Sequence, residues 1–182
     1  FEKKFASFNK SFVEQIDSLA TIASEFSNFA KMPDTKLEHI QLLPIIEQAR
    51  EVFSSMDHVE IHVLNRATKT IIVLGDKDQL LRSFNNLFKN AIEAADGKEK
   101  CVIKVHLAND EQQAFVEVED NGKGIDPALQ SNIFRANFTT KSSGTGLGLA
   151  FVKQAIENAG GKVEFTSVLN NGTIFYLTFP LV

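Results

Sequence analysis

The spacing of the apolar residues changes once along the chain, and this change constrains the fold more than any other feature of the sequence. Over residues 1–33 they recur with a seven-residue period in two series, which are Phe5, Phe12, Leu19 and Phe26, and Phe8, Ile22 and Phe29, with Gln15 in the missing place of the second series. A heptad seam of this kind predicts one long helix. One helix cannot cover its own stripe of Phe side chains, so another helix must do so. The partner could belong to the same domain, but the narrow seam favours half of a bundle or a dimer stem.

After residue 33 the pattern changes to that of a globular domain. Helical spacing covers 44–53, 78–95 and 146–158, and strand-like segments cover 59–64, 70–74, 102–107, 114–119, 162–167 and 173–179. Helices kept apart from hairpin-joined strands predict an α+β, two-layer sandwich.

Composition excludes several classes of protein. The chain has 182 residues, with 19 Lys+Arg against 23 Asp+Glu and a net charge of −4. This size fits one domain with an appendage, and the charge argues against a protein that coats nucleic acid. The single Cys101 cannot form an internal disulfide, which favours a reducing compartment, and no apolar run is long enough to span a membrane. Because the chain begins at Phe1 rather than Met, we expect it to be a piece of a longer protein that could carry a membrane anchor.

The glycines do not fit the two commonest nucleotide-binding motifs. Lys follows Gly at positions 98, 123 and 162, but neither Ser nor Thr follows any of these lysines, so no P-loop is present. The Gly144–Leu149 segment lacks the third glycine of a dinucleotide-binding fingerprint and does not follow a predicted strand.

Polar residues on the central predicted helix could serve a nucleotide site instead. Asn86, Asn90 and Glu93 are four and three residues apart, so they share one helix face. An amide oxygen is a hard ligand suited to Mg²⁺, which takes few protein oxygens when nucleotide phosphates supply the rest. The alternative is that both asparagines are ordinary surface residues.

An aspartate stands directly after a predicted strand, in Asp120–Ile125. Its carboxylate could accept a hydrogen bond from the exocyclic amine of adenine, whereas guanine would present a carbonyl oxygen at that place. Gly124 would let the backbone approach a base closely. The alternative is a tight turn with a solvated aspartate.

The segment from Phe134 to Leu149 has the composition of a lid. Phe134 and Phe138 are apolar anchors, and the residues that follow are polar and rich in glycine. The glycines precede a helix, whose N–H groups form a natural anion site. Arg135 and Lys141 could add positive charge near phosphate or could simply be solvated. Gly172-Thr173 could be a nucleotide contact or a plain hairpin glycine.

Taken in order, these segments resemble the catalytic ATP-binding domain of sensor histidine kinases, within the superfamily that includes gyrase, the heat-shock chaperone and the mismatch-repair ATPases. The resemblance covers 34–182 and consists of the N box Asn86–Ala94, the first glycine box Asp120–Ile125, the phenylalanine box Phe134–Phe138, the second glycine box Gly144–Leu149, and Gly172-Thr173. The residues from Phe138 to Leu149 are similar to those of nitrogen-regulation-type kinases. The resemblance implies a Bergerat-type ATP-binding fold, with a mixed, mainly antiparallel sheet and helices on one face. It also implies that 1–33 is part of the second helix of the dimerisation and histidine-phosphotransfer hairpin.

The resemblance also implies roles for single residues. Asn90 would hold Mg²⁺, Asn86 would contact phosphate or metal, and Asp120 would read the adenine amine. Gly122 and Gly124 would shape the adenine pocket. The remaining nucleotide contacts would be Gly144, Thr145, Gly146, Leu147 and Gly148 against the phosphates, Thr173 near the base and Lys141 at the γ-phosphate.

Two absences bear on the mechanism. The hydrolysing members of the superfamily carry a Glu one helical turn before the metal-binding Asn, and here that position is Asn86, so slow hydrolysis of ATP is expected. The kinases phosphorylate a His that is followed by Glu or Asp on the first stem helix. None of the four histidines has that context; they are His39, His58, His62 and His106.

One departure from the family concerns charge. Glu93 stands where many relatives have a basic residue, so the phosphate charge must be met differently, for example by Lys89 or Lys141. The alternative is that Glu93 is a plain carboxylate on the helix surface.

We therefore expect a protein-histidine kinase domain that binds ATP and Mg²⁺ and cannot phosphorylate itself without the missing histidine. The intact protein would form a homodimer through its stem, would pass the phosphoryl group to an Asp of a response-regulator receiver domain, and would work in the cytoplasm. No contact of this piece with nucleic acid or membrane is expected. The alternatives are a stand-alone ATPase of the same superfamily and a non-catalytic nucleotide-binding switch, such as an anti-sigma-like module or a degenerate kinase.

Overall fold

The structure is a computed structural model that describes residues 12, 13, 16, 19, 20, 35–140 and 144–182. The predicted stem helix therefore lies almost wholly outside the described residues. The few described residues within it are helical, and their large apolar side chains are exposed: Phe12, Val13, Ile16 and Leu19.

From residue 35 onward the chain folds into alternating strands and helices. Their bounds are β1 (Glu38–Gln41), α1 (Leu42–Glu51), β2 (Val59–Asn65), β3 (Ile72–Gly75), α2 (Lys77–Ala94), β4 (Cys101–Asn109), β5 (Gln113–Asp120), α3 (Pro127–Gln130), α4 (Gly148–Asn158), β6 (Lys162–Val168) and β7 (Gly172–Pro180). None of the helices in the described part of the chain is long and apolar enough to cross a membrane.

The main sheet has five strands in the order β2-β4-β5-β7-β6. β2 pairs with β4 in parallel, and the other neighbours are antiparallel. The apolar faces of α1, α2 and α4 close one side of this sheet and form a single core with it. The predicted α+β, two-layer sandwich with a mainly antiparallel sheet is confirmed.

Three features of the fold were not predicted from the sequence. The strand predicted over 70–74 is observed as β3, which pairs with β1 in a two-stranded sheet separate from the main sheet. β1 was not predicted, because only Ile40 among its four residues is buried and a single apolar residue gives no alternation. The short helix α3 was also missed, since it buries none of its residues.

Helix ends differ by a few residues from the prediction. The first helix begins at Leu42, with Pro44 in its first turn, where the missing N–H of proline costs no helix bond. The last begins at Gly148 rather than at Gly146, because Gly146 has a φ of +68° that no right-handed helix contains.

The inner face of β5, β7 and β6 consists of rows of side chains in register. Two rows are apolar: Val116–Leu177–Val163 and Val118–Phe175–Phe165. The next row toward the carboxyl end of β5 is polar and consists of Asp120–Thr173–Ser167. The sheet therefore ends, on its helix-facing side, in a short polar strip beside an apolar core.

Helix α2 passes over this sheet and carries the N box. The Asp76 side chain caps its first turn by accepting from the backbone N–H of Gln79 at 3.0 Å. An apolar stripe that includes Leu80, Phe84 and Leu87 buries one side in the core. On the side that faces α4, the Arg82 guanidinium lies 4.1 Å from the centre of the Phe151 ring. The position of α2 is thus fixed by the cap at its first turn and by the contact of Arg82 with α4.

Candidate functional site

The carboxylate of Asp120 is buried at the end of β5. Its side chain is 7% exposed, and Oδ1 accepts from the Gly122 backbone N–H at 2.7 Å. Burial raises the pKa of this carboxyl above its usual value, while the backbone N–H groups of Gly122 and Thr173 and the charge of Lys98 act in the opposite direction. A buried carboxylate kept within reach of a few donors can recognise a ligand donor by a strong hydrogen bond.

The glycines of the first glycine box are required by close contacts. A Cβ on Gly122 would lie 2.7 Å from Asp120 Oδ1 and 2.6 Å from the Cβ of Ala94, at the end of α2. Gly124 has a φ of +69°, and a Cβ there would lie 2.2 Å from the carbonyl oxygen of Val168. Glycine at both positions therefore keeps the Asp120 carboxylate open and lets the loop lie flat between α2 and β6.

Backbone hydrogen bonds fix this loop on two sides. The Lys123 N–H donates to the Ala94 carbonyl at 2.9 Å, and the Asn170 N–H donates to the Lys123 carbonyl at 2.7 Å. The Lys98 ammonium donates to the carbonyl of Asn121. The Asp120 end of the site is thus a rigid frame rather than a free turn.

The asparagines of the N box lie on the side of α2 that meets the start of α4. Asn86 and Asn90 are both half-buried. A Cβ built on Gly148 would have Asn86 Oδ1 as its nearest neighbour, at 3.5 Å. The first N–H groups of α4, which have no partner within a helix, therefore begin opposite the Asn86 amide.

The second glycine box lies against the phenylalanine box. A Cβ on Gly146 would lie 2.6 Å from backbone atoms of both Asn137 and Phe138. Phe134 is held in turn by the sheet, with ring centres 5.8 Å from Phe165 and 6.4 Å from Phe175. The predicted anchoring of this segment by Phe134 agrees with these contacts.

The structure gathers the predicted residues into two groups at the two ends of the N box. Asp120, Gly122, Gly124 and Thr173 lie beside the carboxyl end of α2, and Gly148 lies beside Asn86. Ala94 is eight positions after Asn86, which is about 12 Å along a helix axis.

The remaining predicted site residues lie in or near the second glycine box or on α2. Leu147 is buried and precedes α4, its N–H lies 3.4 Å from Thr145 Oγ1, and Gly144 and Thr145 are half-buried. Lys141 lies outside the described residues. Lys89 is exposed and Glu93 is half-buried.

Sequence reasoning missed one polar residue of the site. Ser167 completes the row begun by Asp120 and Thr173, and its hydroxyl lies 2.9 Å from Thr173 Oγ1. The sequence did contain an indication of this role. Ser167 follows Phe165 by two residues in a predicted strand, so both side chains point to the same inward face of the sheet.

The residues present fit a bound magnesium nucleotide. Gly122 and Gly148 leave space where a Cβ would otherwise stand, next to a buried carboxylate and next to an amide. Among the described residues no three His, Cys, Asp or Glu side chains are grouped to hold a metal ion. Amide oxygens together with ligand phosphates are the kind of donor set that Mg²⁺ accepts.

Comparison with known proteins identifies the same part of the chain. A family model described as histidine kinase-, DNA gyrase B- and HSP90-like ATPase matches residues 75–182. The sensory histidine kinase/phosphatase NtrB of Azospirillum brasilense is 30% identical over 92% of this chain and 45% of its own length. The signal transduction histidine-protein kinase AtoS of Escherichia coli K12 is 31% identical over 93% of this chain and 28% of its own length. The chain thus spans less than half the length of these curated relatives.

Solved structures share the fold. The catalytic domain of the histidine kinase ThkA, in a nucleotide-free form, superposes with a TM-score of 0.70 at 27% identity, covering 80% of this chain and 96% of that one. A mycobacterial sensor histidine kinase, MprB, gives the same TM-score at 26% identity, covering 80% of this chain and 98% of that one.

Proposed function

The chain belongs to the histidine kinase-, DNA gyrase B- and HSP90-like ATPase family, and we propose that it binds ATP with Mg²⁺ and delivers the γ-phosphoryl group to a histidine of a sensor kinase. The observation that carries the proposal is the arrangement around α2. A buried carboxylate lies at one end of the N box, and an amide facing a helix N-terminus lies at the other.

The Asp120 end would hold adenine. The exocyclic amine of adenine is a donor that matches an ionised carboxylate, whereas the carbonyl oxygen of guanine or hypoxanthine at that position would be repelled. Gly122 leaves room for the base beside Asp120 Oδ1. Thr173, which is 4% exposed, lies next to Asp120 in the strand pairing and offers a second polar group to the base.

The Asn86 end would hold the phosphates. The start of α4 presents N–H groups and the positive end of a helix dipole, both of which favour anions. The separation of about 12 Å along α2 suits an extended ligand that has its base at Ala94 and its phosphates at Asn86. Gly144, Thr145, Gly146, Leu147 and Gly148 would supply the backbone of the phosphate site, and Lys141 would add charge at the γ-phosphate.

Asn90 would hold Mg²⁺ through its side-chain oxygen, with phosphate oxygens completing the coordination. When bound, the ion neutralises charge on the transferring phosphoryl group. Since Glu93 is acidic, the residues left to offset phosphate charge are the α4 N–H groups, Lys141 and the exposed Lys89.

The chain's own residues favour transfer over hydrolysis. Asn86 stands where a general base would orient water, and an amide cannot accept a proton from water at neutral pH. The four histidines lie in β1, β2, β4 or the turn before β2, and none is on a helix: His39, His58, His62 and His106. The acceptor in this proposal is therefore a histidine on a first stem helix that this sequence does not contain.

The proposal for the intact protein is broader. Residues 1–33 would be part of the second stem helix, and two stems would form a homodimer. The phosphoryl group would then pass from the histidine to an Asp of a response-regulator receiver domain. The whole would work in the cytoplasm, with or without a membrane anchor elsewhere in the parent.

The test is phosphoryl transfer in trans. The chain is mixed with a separately produced first stem helix and with ATP labelled at the γ-phosphate, and the helix is assayed for acid-labile label. We expect label only when the chain, Mg²⁺ and the helix are all present, with slow release of free phosphate. Binding of ATP without any labelling of the helix would support a non-catalytic nucleotide switch, and rapid release of free phosphate would support a stand-alone ATPase.

A further inference from the structure

A serine that none of the family boxes contains completes the polar row at the end of the sheet. Ser167 is in register with Thr173, which is in register with Asp120, so the three side chains point to the same face of neighbouring strands. Ser167 is half-buried, and the row before it is apolar, with Phe165 two residues earlier in the same strand. A polar side chain in this position needs partners.

The Ser167 hydroxyl has three partners and one proton. It accepts from the Ile125 backbone N–H at 2.8 Å, lies 3.1 Å from the Gly172 carbonyl, and lies 2.9 Å from Thr173 Oγ1. A carbonyl oxygen can only accept, so the serine proton goes to Gly172 when that bond forms. Thr173 must then donate its own proton to Ser167.

This arrangement decides what Thr173 can offer a ligand. With its proton directed to Ser167, the Thr173 hydroxyl presents only lone pairs toward the space beside Asp120. The Asp120 carboxylate and the Thr173 hydroxyl oxygen are then two neighbouring acceptors. They favour a base whose edge carries an amine and disfavour a base whose edge carries a carbonyl oxygen. Without Ser167, the Thr173 hydroxyl could turn and donate to such a carbonyl.

Ser167 also holds the first glycine box. Its bond to the Ile125 N–H is matched by Gln130, whose Nε2 donates to the Ile125 carbonyl at 3.0 Å and to the Ser167 carbonyl at 3.2 Å. Ser167 and Gln130 therefore both anchor the loop, whereas of these two side chains Ser167 is the one that contacts the Thr173 hydroxyl. A variant of Gln130 can separate the two effects.

We propose that Ser167 is a positioning residue that sets the base selectivity of the nucleotide site by fixing the proton of the Thr173 hydroxyl. The inference rests on the proposed binding of ATP. It concerns the discrimination between an amine and a carbonyl at position 6 of the purine, a property that the family match does not assign to Ser167.

The test compares ATP with inosine triphosphate, which differs by a carbonyl in place of the amine. Dissociation constants for both are measured by calorimetry with the full chain and Mg²⁺. For Ser167→Ala we expect the preference for ATP to fall about tenfold, the equivalent of one well-placed hydrogen bond. Ser167→Cys has nearly the same volume but is a weak hydrogen-bonding group, so it should behave as Ser167→Ala does without leaving a cavity. Ser167→Thr keeps the hydroxyl and should retain the preference of the parent chain for ATP.

Two control variants isolate the mechanism. Thr166→Ala removes a hydroxyl on the opposite face of the same strand, where Thr166 Oγ1 lies 3.2 Å from the Tyr176 hydroxyl, and should leave the preference unchanged. Gln130→Ala loosens the loop and should weaken the binding of both nucleotides alike.

A double-mutant cycle with Thr173→Val tests the route of action. If Ser167 acts through the Thr173 hydroxyl, Ser167→Ala has no further effect on the preference in the Thr173→Val background. An unchanged preference in folded Ser167→Ala and Ser167→Cys, with the parent chain still binding ATP, would overturn the inference and leave the proposed function intact. Failure of the parent chain to bind ATP would instead overturn the proposed function.

Discussion

Asp120 and Thr173 are paired in register on β5 and β7, and the Thr173 backbone N–H lowers the pKa of the Asp120 carboxyl against the effect of burial. The pair lies one row beyond the apolar row of Val118 and Phe175. A carboxylate at this boundary is buried enough to discriminate between ligands, yet it is kept near backbone donors that hold it in one orientation.

Asp120→Asn should separate binding from stability. An amide presents a donor or an acceptor but no charge, so we expect the affinity for ATP to fall at least a hundredfold, as when a buried site is left without its matched hydrogen bond. Calorimetric titration measures this loss. Glu117→Gln, on the exposed face of the same strand, is the control and should keep the parent affinity.

The same variant should not lower the melting temperature. Burial raises the pKa of Asp120 in the folded chain above its usual value of 3.8. The contribution of this carboxyl to stability is therefore fully present below the unfolded pKa and is lost as pH rises through the folded pKa. At neutral pH the ionised group costs stability, so thermal unfolding of Asp120→Asn should occur at the parent temperature or above it. A clearly lower melting temperature would contradict this account.

Affinity for ATP should depend on the ionisation of Asp120. Since the proton competes with the adenine amine, binding should weaken as pH falls through the folded pKa of Asp120, which lies above 3.8. The phosphates of ATP also titrate, so the measurement is the difference in pH dependence between the parent chain and Asp120→Asn. Parallel curves for the two proteins would show that another group is responsible.

Gly146 and Gly97 form a matched pair for testing the second glycine box. Both have positive φ, +68° and +82°, but a Cβ on Gly97 would meet no atom within 4 Å, whereas one on Gly146 would meet the backbone of Asn137 and Phe138. Gly97→Ala should cost about 1 kcal/mol of conformational strain. Gly146→Ala should cost about 3 kcal/mol or more and should weaken the binding of ATP. Denaturant unfolding and calorimetry give the two quantities, and equal effects of the two variants would contradict the close contact.

Asn90→Ala should remove the benefit of the metal. The affinity of the parent chain for ATP should be higher with Mg²⁺ than with a chelator, and in Asn90→Ala the two affinities should converge. The control is Asn85→Ala, which removes an amide from a different side of α2 and should keep the full response to Mg²⁺. A full response to Mg²⁺ in Asn90→Ala would place the ion elsewhere.

Local pattern predicted the elements that carry the site. The helical spacing of Leu80, Phe84 and Leu87 placed α2 within one residue of its bounds, and the alternation before Asp120 placed β5. Because a helix fixes which residues share a side, Asn86 and Asn90 could be placed together from sequence.

Partner choice between distant segments could not be predicted in the same way. Nothing in the pattern of β3 indicates that it pairs with β1 rather than with β2, since strand pairing depends on the whole core. Ser167 was missed for a related reason. A serine in a half-buried strand is unremarkable until register places its hydroxyl beside Thr173 and Ile125.

Calorimetric titration of the chain with Mg·ATP tests the central claim most directly. We predict the uptake of one ATP per chain, with far weaker binding of GTP and with ATP binding that is at least a hundredfold weaker in Asp120→Asn. If a demonstrably folded chain takes up no ATP, or takes up GTP equally well, the arrangement of Asp120 and Asn86 around α2 does not form an adenine nucleotide site.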